Sequence, residues 1–248
     1  LAPRDTPPEP PPVLTHAQPL APPQDVDKDA WEEWDYMGMQ DTGDGRELQR
    51  RLRIHFTDKE GKRTEREIDL KKFFTDGKDG LMHAYCHLRK GNRPFRLSRV
   101  SQAIDLDSGE AVQDLPAWLL AQYKDTPRGM ADAFIDEHGD ALSALFFVSK
   151  ADGALRKAER EHFAEFCRSV GGSPAEVVDL VVQDVSEWAV PSAIGYGKAL
   201  RVVAERSEEY RRSVLETARK MVDSDKTTKD DEVKALGRMA KELGVKDA

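Results

Sequence analysis

Apolar and polar positions alternate along the middle of the chain, between about residues 48 and 106. In the first such stretch Leu52, Ile54 and Phe56 form the apolar set, and the residues around them are basic. This period of two is typical of a strand with one buried face. Polar turns at residues 58–61, 76–80 and 91–92 separate five stretches of this kind. Five short strands joined by tight turns predict a small antiparallel β-barrel that hides its own edges, over residues 46–114.

The last part of the chain changes to the period of helices. Phe163, Phe166 and Val170 lie on one face of a helix by their spacing. The run Gly171-Gly172-Ser173-Pro174 is typical of the end of one helix and the start of the next. Similar breaks predict about seven helices within residues 115–248.

The helical part contains an internal repeat with an offset of 73 residues. The aligned pairs include Asp152 with Asp225, Glu159 with Glu232, and Val170 with Leu243. Each copy is interpreted as a helix, a short loop and a second helix with an acidic residue in its first turn. The fold class predicted for the chain is α+β, a small antiparallel SH3- or Sm-like β-barrel followed by an all-α helical bundle.

The first 45 residues differ in composition from the rest. Nine of the 14 prolines lie within residues 1–23, where they remove backbone donors and fix φ. Residues 1–45 are therefore predicted to be a proline-rich acidic tail or linker, largely disordered. Trp31 and Trp34 lie in an acidic context and fit either a short helix packed on the core or a partner-binding motif. We favour packing, because exposed tryptophans are costly.

The net charge of −8 is unevenly distributed. Residues 46–105 carry sixteen basic and nine acidic residues, whereas both flanking parts are acidic. This middle block can bind an anion although the whole chain is acidic. No apolar run approaches the roughly 20 residues of a membrane span, and Cys86 and Cys167 cannot build a disulfide framework. These features predict a cytoplasmic protein with no membrane span in this chain.

The basic residues concentrate in the stretch 89–99, which holds five bases and no acid. Four of the five are arginines, whose planar guanidinium groups match the oxygens of phosphates and carboxylates. Tyr85 and His87, on the outward side of the preceding strand, are placed to stack on a nucleotide ring. The candidate ligand-binding residues are Tyr85, His87, Arg89, Arg93, Arg96 and Arg99. The alternative is that these arginines pair with acids of neighbouring strands, namely Glu65, Glu67, Asp69 and Asp105.

Two segments in this region, Ala84-Tyr85-Cys86-His87-Leu88-Arg89 and Arg93-x-Phe95-Arg96-Leu97-x-Arg99-Val100, resemble the WYL domain, an Sm-like barrel of bacterial regulators. The resemblance covers about residues 46–105, and Gly80-Leu81-Met82 stands where the family has its naming tripeptide. It implies a sensor domain whose arginines bind a negatively charged ligand, in some members single-stranded DNA or another nucleotide. The same six candidate residues match the family's motif.

The helical repeat, with Ala151-Asp152-Gly153 followed by Glu159, resembles the tellurite-resistance TerB-like domain over about residues 128–246. This resemblance implies a helical bundle with an acidic surface that can hold a divalent cation, the one cofactor considered. The matching residues are Asp152, Glu159, Asp225 and Glu232. A simpler interpretation is that acids before a helix or in its first turn satisfy free backbone donors and the helix dipole without metal.

No catalytic motif is recognisable in the sequence. Nucleophile arrangements, glycine-rich phosphate loops and metal-ligand spacings typical of enzymes are missing. His83, Cys86 and His87 have the residue types of zinc ligands, but on a strand Cys86 faces away from both histidines. We therefore expect a protein without catalytic activity, in which Cys86 packs inside the barrel.

We interpret the sequence as that of a bacterial regulatory protein with two modules. The barrel binds an anionic ligand, a nucleotide or single-stranded nucleic acid, and the helical domain offers a docking surface for a protein partner, in stress response or defence. Association into an oligomer is compatible with this scheme. The alternative is a scaffold that senses no ligand and whose acidic helical domain binds a divalent metal or a protein partner.

Overall fold

The computed structural model of the 248-residue chain describes residues 45–75, 79–149, 155–224 and 230–245. These residues form two compact units, one of residues 45–74 and 79–111 and the other of Thr75 and the described residues from 112 onward. We call the first unit the β domain and the second the helical domain. None of the described helices is both long and apolar enough to cross a lipid bilayer.

The β domain is an antiparallel sheet of six strands. They are β1 (Arg46–Thr57), β2 (Arg63–Thr75), β3 (Gly80–Cys86), β4 (Gly91–Arg96), β5 (Val100–Asp105) and β6 (Ala111–Val112). Their spatial order is β4-β3-β2-β1-β5-β6, and one 3₁₀ turn, Leu97–Arg99, connects β4 to β5.

The hydrogen bonds of the described strands leave the sheet open, with β4 and β6 at its edges. The predicted small antiparallel β fold is confirmed, whereas its closure into a barrel is not. Alternation along a strand indicates which side chains are buried, but it does not indicate whether the first and last strands pair. The sixth strand, of two residues, is too short to show any periodicity.

The register of β1 against β2 places acids opposite bases on the outer face of the sheet. Arg53 lies opposite Glu67, and His55 lies opposite Glu65. The Arg53 Nη2 atom donates to Glu67 Oε1 at 2.8 Å, and His55 Nε2 lies 3.2 Å from Glu65 Oε2. The hydrogen bond from Arg53 holds the pKa of the Glu67 carboxyl below its ordinary value. Opposite charges that face each other across two strands favour this register over a shifted one.

The inner face of the sheet is an apolar layer. Its most deeply buried side chains include Leu52, Ile54, Ile68, Phe73, Met82 and Cys86. Phe56 and Phe95 meet edge to face in this layer, with ring centroids 5.3 Å apart. Cys86 is a buried free cysteine, as the alternation predicted, and His87 is exposed. The two therefore do not converge on a zinc ion.

The described part of the helical domain contains seven helices, in agreement with the sequence prediction. They are α1 (Leu115–Lys124), α2 (Pro127–Ser149), α3 (Lys157–Gly171), α4 (Ala175–Glu187), α5 (Ala193–Ala204), α6 (Glu208–Asp223) and α7 (Asp230–Leu243). The long helix α2 is central, because it packs against each of the other six. Near its end Leu142, Ala144, Leu145 and Phe146 are all buried, as expected for a helix surrounded on every side.

The predicted break between α3 and α4 is present. α3 ends at Gly171, and Gly172 follows with a φ of 58°, a left-handed conformation that glycine adopts without steric cost. The internal repeat is visible in the helix boundaries, because α7 begins 73 residues after α3. Gly244, directly after α7, has a φ of 60°. The two copies of the repeat therefore end their helices in similar ways.

A cluster of charges joins α1, α2 and α4. The guanidinium of Arg128 donates to both carboxylate oxygens of Asp184, at 2.9 and 2.6 Å, and lies 2.6 Å from Asp132. The Tyr123 hydroxyl donates to the same Asp132 carboxylate at 2.5 Å. Burial, together with this carboxylate, raises the pKa of Tyr123 to about 12. These bidentate and shared hydrogen bonds hold α1 close to the start of α2.

The close approach of α1 to α2 yields a prediction for two glycines of the same helix. A Cβ atom at Gly129 would collide with the backbone carbonyl of Tyr123, whereas a Cβ at Gly139 would meet nothing. We expect Gly129→Ala to lower the free energy of unfolding by about 1–3 kcal/mol, as overpacking does. Gly139→Ala, the matched control, should raise it by up to about 1 kcal/mol through helix propensity. Urea denaturation of both variants measures the difference, and equal stabilities would contradict the packing described.

A buried histidine lies between α2 and α6. The His138 ring stacks on Tyr210 at a centroid distance of 5.6 Å and lies tilted against Phe134 at 4.4 Å. Its Nδ1 is 2.8 Å from the Tyr210 hydroxyl. Burial lowers the pKa of His138, an effect that Glu137 opposes and Arg206 reinforces. The neutral imidazole is therefore the form that fits this site.

The lowered pKa of His138 predicts a loss of stability in mild acid. The folded protein binds this proton less tightly than the unfolded chain, so the stabilisation is complete above pH ~6.5 and is lost as the pH falls through the folded pKa. Urea denaturation as a function of pH should show this loss in the wild type, with a smaller loss in His138→Gln. An identical pH dependence in both proteins would contradict the assignment.

Candidate functional site

The predicted ligand residues lie on β3, on β4 and in the segments that follow these strands. Tyr85 is on β3, His87 and Arg89 are in the turn after it, Arg93 and Arg96 are on β4, and Arg99 ends the 3₁₀ turn. The rings of Tyr85 and His87 lie edge to face with centroids 5.3 Å apart. The two aromatic candidates are therefore brought together.

His87 is held in place by β2. Its Nε2 lies 2.9 Å from Asp69 Oδ2, and its backbone N–H donates to the Glu67 carbonyl at 3.1 Å. Half of the side chain stays exposed. The imidazole therefore has a fixed position beside Tyr85 and is still accessible to a planar ligand group.

The two arginines of β4 lie on opposite faces of the sheet. Arg93 is opposite Ala84, and Arg96 is opposite Leu81. Side chains three positions apart on a strand point to opposite faces. Arg93 shares the buried face with Phe95, and its Nε atom is buried. The arginines therefore do not form one straight row along a single face.

Arg96 is paired with an acid that the sequence did not indicate. Its Nε donates to Asp79 Oδ2 at 3.1 Å, and Asp79 Oδ1 accepts the backbone N–H of Ser98 at 3.0 Å. Burial alone would raise the pKa of Asp79, but the amides of Gly80 and Ser98 and the Arg96 guanidinium hold it below its ordinary value. Asp79 therefore ties the start of β3 to the 3₁₀ turn, and Arg96 is part of this link.

The four acids considered as alternative partners have other contacts. Glu65 and Glu67 face His55 and Arg53, and Asp69 contacts His87. Asp105 accepts the Ser108 hydroxyl at 2.9 Å in the loop after β5. These contacts belong to the outer face of the sheet and to the β5–β6 loop.

Arg66 is a basic residue of β2 that is not among the ligand-binding residues predicted from the sequence. It lies opposite Ile54 on the buried face and is only 7% exposed. Its guanidinium carbon is 5.3 Å from the ring centroid of Phe56 and 5.8 Å from that of Phe95, and its Nε donates to the Thr64 hydroxyl. Within the described ranges it has no carboxylate partner.

A signal for Arg66 was present in the sequence. It occurs in phase with Ile68 and Leu70, the apolar residues of β2, so it occupies a position where alternation predicts an apolar side chain. Charged residues at buried positions are rare and need a counter-charge or another function. Arg66 and Arg93 both share the buried face with Phe95.

Arg89 lies in the turn between β3 and β4 and is exposed. It makes no hydrogen bond or ion pair with the residues that the structure describes. Lys90, next to it, has a φ of 51°, an uncommon value for a residue with a side chain. The turn therefore presents two adjacent cations to solvent.

The acids considered as metal ligands are described only in part. Glu159 is 2% exposed, and its carboxylate accepts the Arg156 N–H as a helix cap at the start of α3. Glu232 is 3% exposed in the first turn of α7, and Asp152 and Asp225 lie outside the described residues. Across the described ranges no three His, Cys, Asp or Glu side chains are grouped as metal ligands would be.

Comparison with protein families identifies both parts of the chain. Residues 44–104 match the family model of the WYL domain, and residues 139–248 match that of the tellurite resistance protein TerB. The chain thus contains a WYL domain followed by a TerB domain, in the order that the sequence predicted. WYL domains are found in regulatory, ligand-sensing proteins. No curated protein and no solved structure matches the chain.

The hydrogen bonds to Asp79 predict that its carboxylate stabilises the β domain at the start of β3 and at the 3₁₀ turn. We expect Asp79→Ala to lower the stability of the β domain by about 1–3 kcal/mol, because it leaves a backbone donor and a guanidinium without their acceptor. Hydrogen exchange at the Ser98 amide should accelerate in the same variant. Glu65→Gln, which removes an exposed charge paired with His55, is the control and should change stability by less than about 0.5 kcal/mol. Unchanged exchange in Asp79→Ala would show that the link is not stabilising.

Proposed function

We propose that the WYL domain of this protein binds an anionic ligand, a nucleotide or single-stranded nucleic acid, and that the protein is a ligand-sensing regulator. The observation that carries the proposal is Arg66, a buried cation over two adjoining phenylalanine rings with no carboxylate partner within the described ranges. The family to which the domain belongs supports the same class of function.

The surroundings of Arg66 suit an anion from outside the protein. A guanidinium has five N–H donors, and the Thr64 hydroxyl accepts from one of them. Contact with the faces of Phe56 and Phe95 stabilises the cation but provides no acceptor in the plane of the guanidinium. Phosphate oxygens match that plane bidentately.

Two further arginines fit the proposed site. Arg93 lies on the same face of the sheet as Arg66, and Arg89 is exposed in the turn before β4. Arg96 has a structural role instead, because its hydrogen bond to Asp79 holds it at the 3₁₀ turn. We therefore assign the anion to Arg66 and Arg93 on the inner face and to Arg89 in the adjoining turn. Tyr85 and His87 lie on the outer face, so they would stack only on a base of a strand that passes around the β3–β4 turn.

The TerB domain would be the output module in this scheme. We propose that it docks a protein partner and that ligand at the arginines changes this docking, in stress response or defence. The joint presence of a sensor-type domain and a helical domain in one chain supports the idea.

Binding of a fluorescein-labelled oligothymidylate of about 12 nucleotides, followed by anisotropy, tests the proposal. Loss of one charge-assisted contact weakens binding by about 1.5–3 kcal/mol, so Arg93→Gln should raise the dissociation constant at least about tenfold. Binding should also weaken as salt increases, with a smaller slope in the variant. A mononucleotide added as competitor distinguishes a nucleotide ligand from a strand.

Arg53→Gln is the matched control, because Arg53 lies in the same sheet but is paired with Glu67 on the outer face. This variant should bind like the wild type. A folded Arg93→Gln protein with unchanged affinity, or a wild type that binds neither probe, would exclude the anion site. Heat released on titration of that wild type with Ca²⁺, Mg²⁺ or Zn²⁺ would instead support the scaffold alternative, with metal held by its acidic residues.

A further inference from the structure

A groove of about 370 Å³ lies in the helical domain, remote in sequence from the arginines of the β domain. Residues from α2, α5, α7 and the loop before α5 line it. Its volume is at the lower end of the range for small-molecule sites. The groove therefore has room for a single ring or a branched aliphatic group with one polar substituent.

The floor of the groove is apolar and rigid. Phe147 and Tyr196 stack with ring centroids 4.2 Å apart and an interplanar angle of 13°. Tyr196 is fully buried, and its hydroxyl donates to the Ala235 carbonyl at 2.8 Å, so its polar atom is already satisfied. Val190 contributes another apolar side chain to the lining. An apolar ligand group would cover the exposed parts of Phe147 and Val190 without leaving a polar atom unpaired.

Arg238 is positioned at this groove by three neighbours. Its guanidinium carbon lies 5.6 Å from the ring centroid of Tyr196, and its Nη1 donates to the Ala193 carbonyl at 3.3 Å. Gly197 leaves the space that the guanidinium occupies, because a Cβ there would collide with Nη2. The orientation of the guanidinium is therefore set before any ligand binds, which reduces the entropy lost on binding.

The charges along the lining favour an anion. Asp231, the one acidic residue among the lining side chains, is paired with Lys234 at 3.3 Å. Among the described acids, Glu242 is paired with Arg238, at 4.0 Å from Nε and outside the lining. Lys234 and Arg238 are four residues apart on α7 and so lie on one side of the helix. The lining has a net positive charge beside an apolar floor.

We propose that this groove is a binding site for a small carboxylate with an aromatic or branched apolar body. The carboxylate would pair with the guanidinium of Arg238, and the apolar body would lie on Phe147, which Tyr196 supports from below, and on Val190. This proposal is independent of the anion site in the β domain, because it uses none of the same residues.

Titration of the full chain with phenylacetate, observed by ¹H–¹⁵N NMR, tests the site. The amide of Gly197 is the reporter, because this residue contacts the Arg238 guanidinium. Benzyl alcohol, which has a ring but no charge, should bind more weakly by about tenfold or more, the effect of a hydrogen bond between charged groups. Arg238→Gln should bring the affinity for phenylacetate down to that for benzyl alcohol.

Two further variants make the test decisive. Arg206→Gln removes an arginine that lies over another tyrosine of the same domain, at 4.9 Å from the Tyr210 centroid, and should leave phenylacetate binding unchanged. Ala235→Leu fills the groove and should abolish binding of both probes. Equal affinities for the two probes, or binding unaffected by Arg238→Gln and Ala235→Leu, would overturn the proposal.

Discussion

The β domain depends on the register of β1 against β2. This register keeps Leu52 and Ile54 in the apolar layer and places Arg53 and His55 opposite Glu67 and Glu65 on the outside. A slip by one residue would exchange the two faces, because the side chains of a strand alternate. It would expose the core and bury several charges at once. The charge pairs are individually weak at an exposed surface, but they all favour the same register as the burial does.

The register of β1 against β2, together with that of β3 against β4, places basic residues of the β domain in two different surroundings. On the outer face Arg53 is bound to Glu67, and Arg96 is bound to Asp79. On the inner face Arg66 lies over aromatic rings, and Arg93 has a buried Nε atom. An arginine with an exposed acid partner has its charge compensated within the protein. An arginine buried on the inner face is desolvated. An anion that pairs with it there gains more electrostatic interaction energy than it would at the exposed surface.

Local periodicity was sufficient to predict most of the fold. The alternation from Leu52 onward and the spacing of Phe163 and Val170 depend on nearby residues, so β and helical parts, their order and the helix count could be predicted. Barrel closure could not, because it concerns strands that are far apart in the sequence. Both families were identifiable from short motifs, since arginines and aspartates at fixed spacings carry that signal.

The geometry around the candidate residues could be predicted only in part, for two physical reasons. Arg93, Arg96 and Arg99 are three residues apart, a spacing that aligns side chains on a helix but alternates them on a strand. The pairing of Arg96 with Asp79 joins the end of β4 to the start of β3. Such a contact between residues far apart in the sequence cannot be predicted from a local pattern. Arg66 could have been found, because a charged residue in the apolar phase of a strand is itself the signal.

The guanidinium groups of Arg66, Arg206 and Arg238 each lie over an aromatic ring, and the three arginines differ in the acid nearby. Arg206 has Glu137 at 3.4 Å, Arg238 has Glu242 at 4.0 Å, and Arg66 has no carboxylate partner among the described residues. The ring fixes the position of each cation without neutralising its charge. The distance from each guanidinium to a neighbouring carboxylate determines how much of its charge is left uncompensated and can bind a ligand. By this criterion Arg206 stabilises the bundle, while Arg238 and Arg66 are held in place with charge still available to an anion.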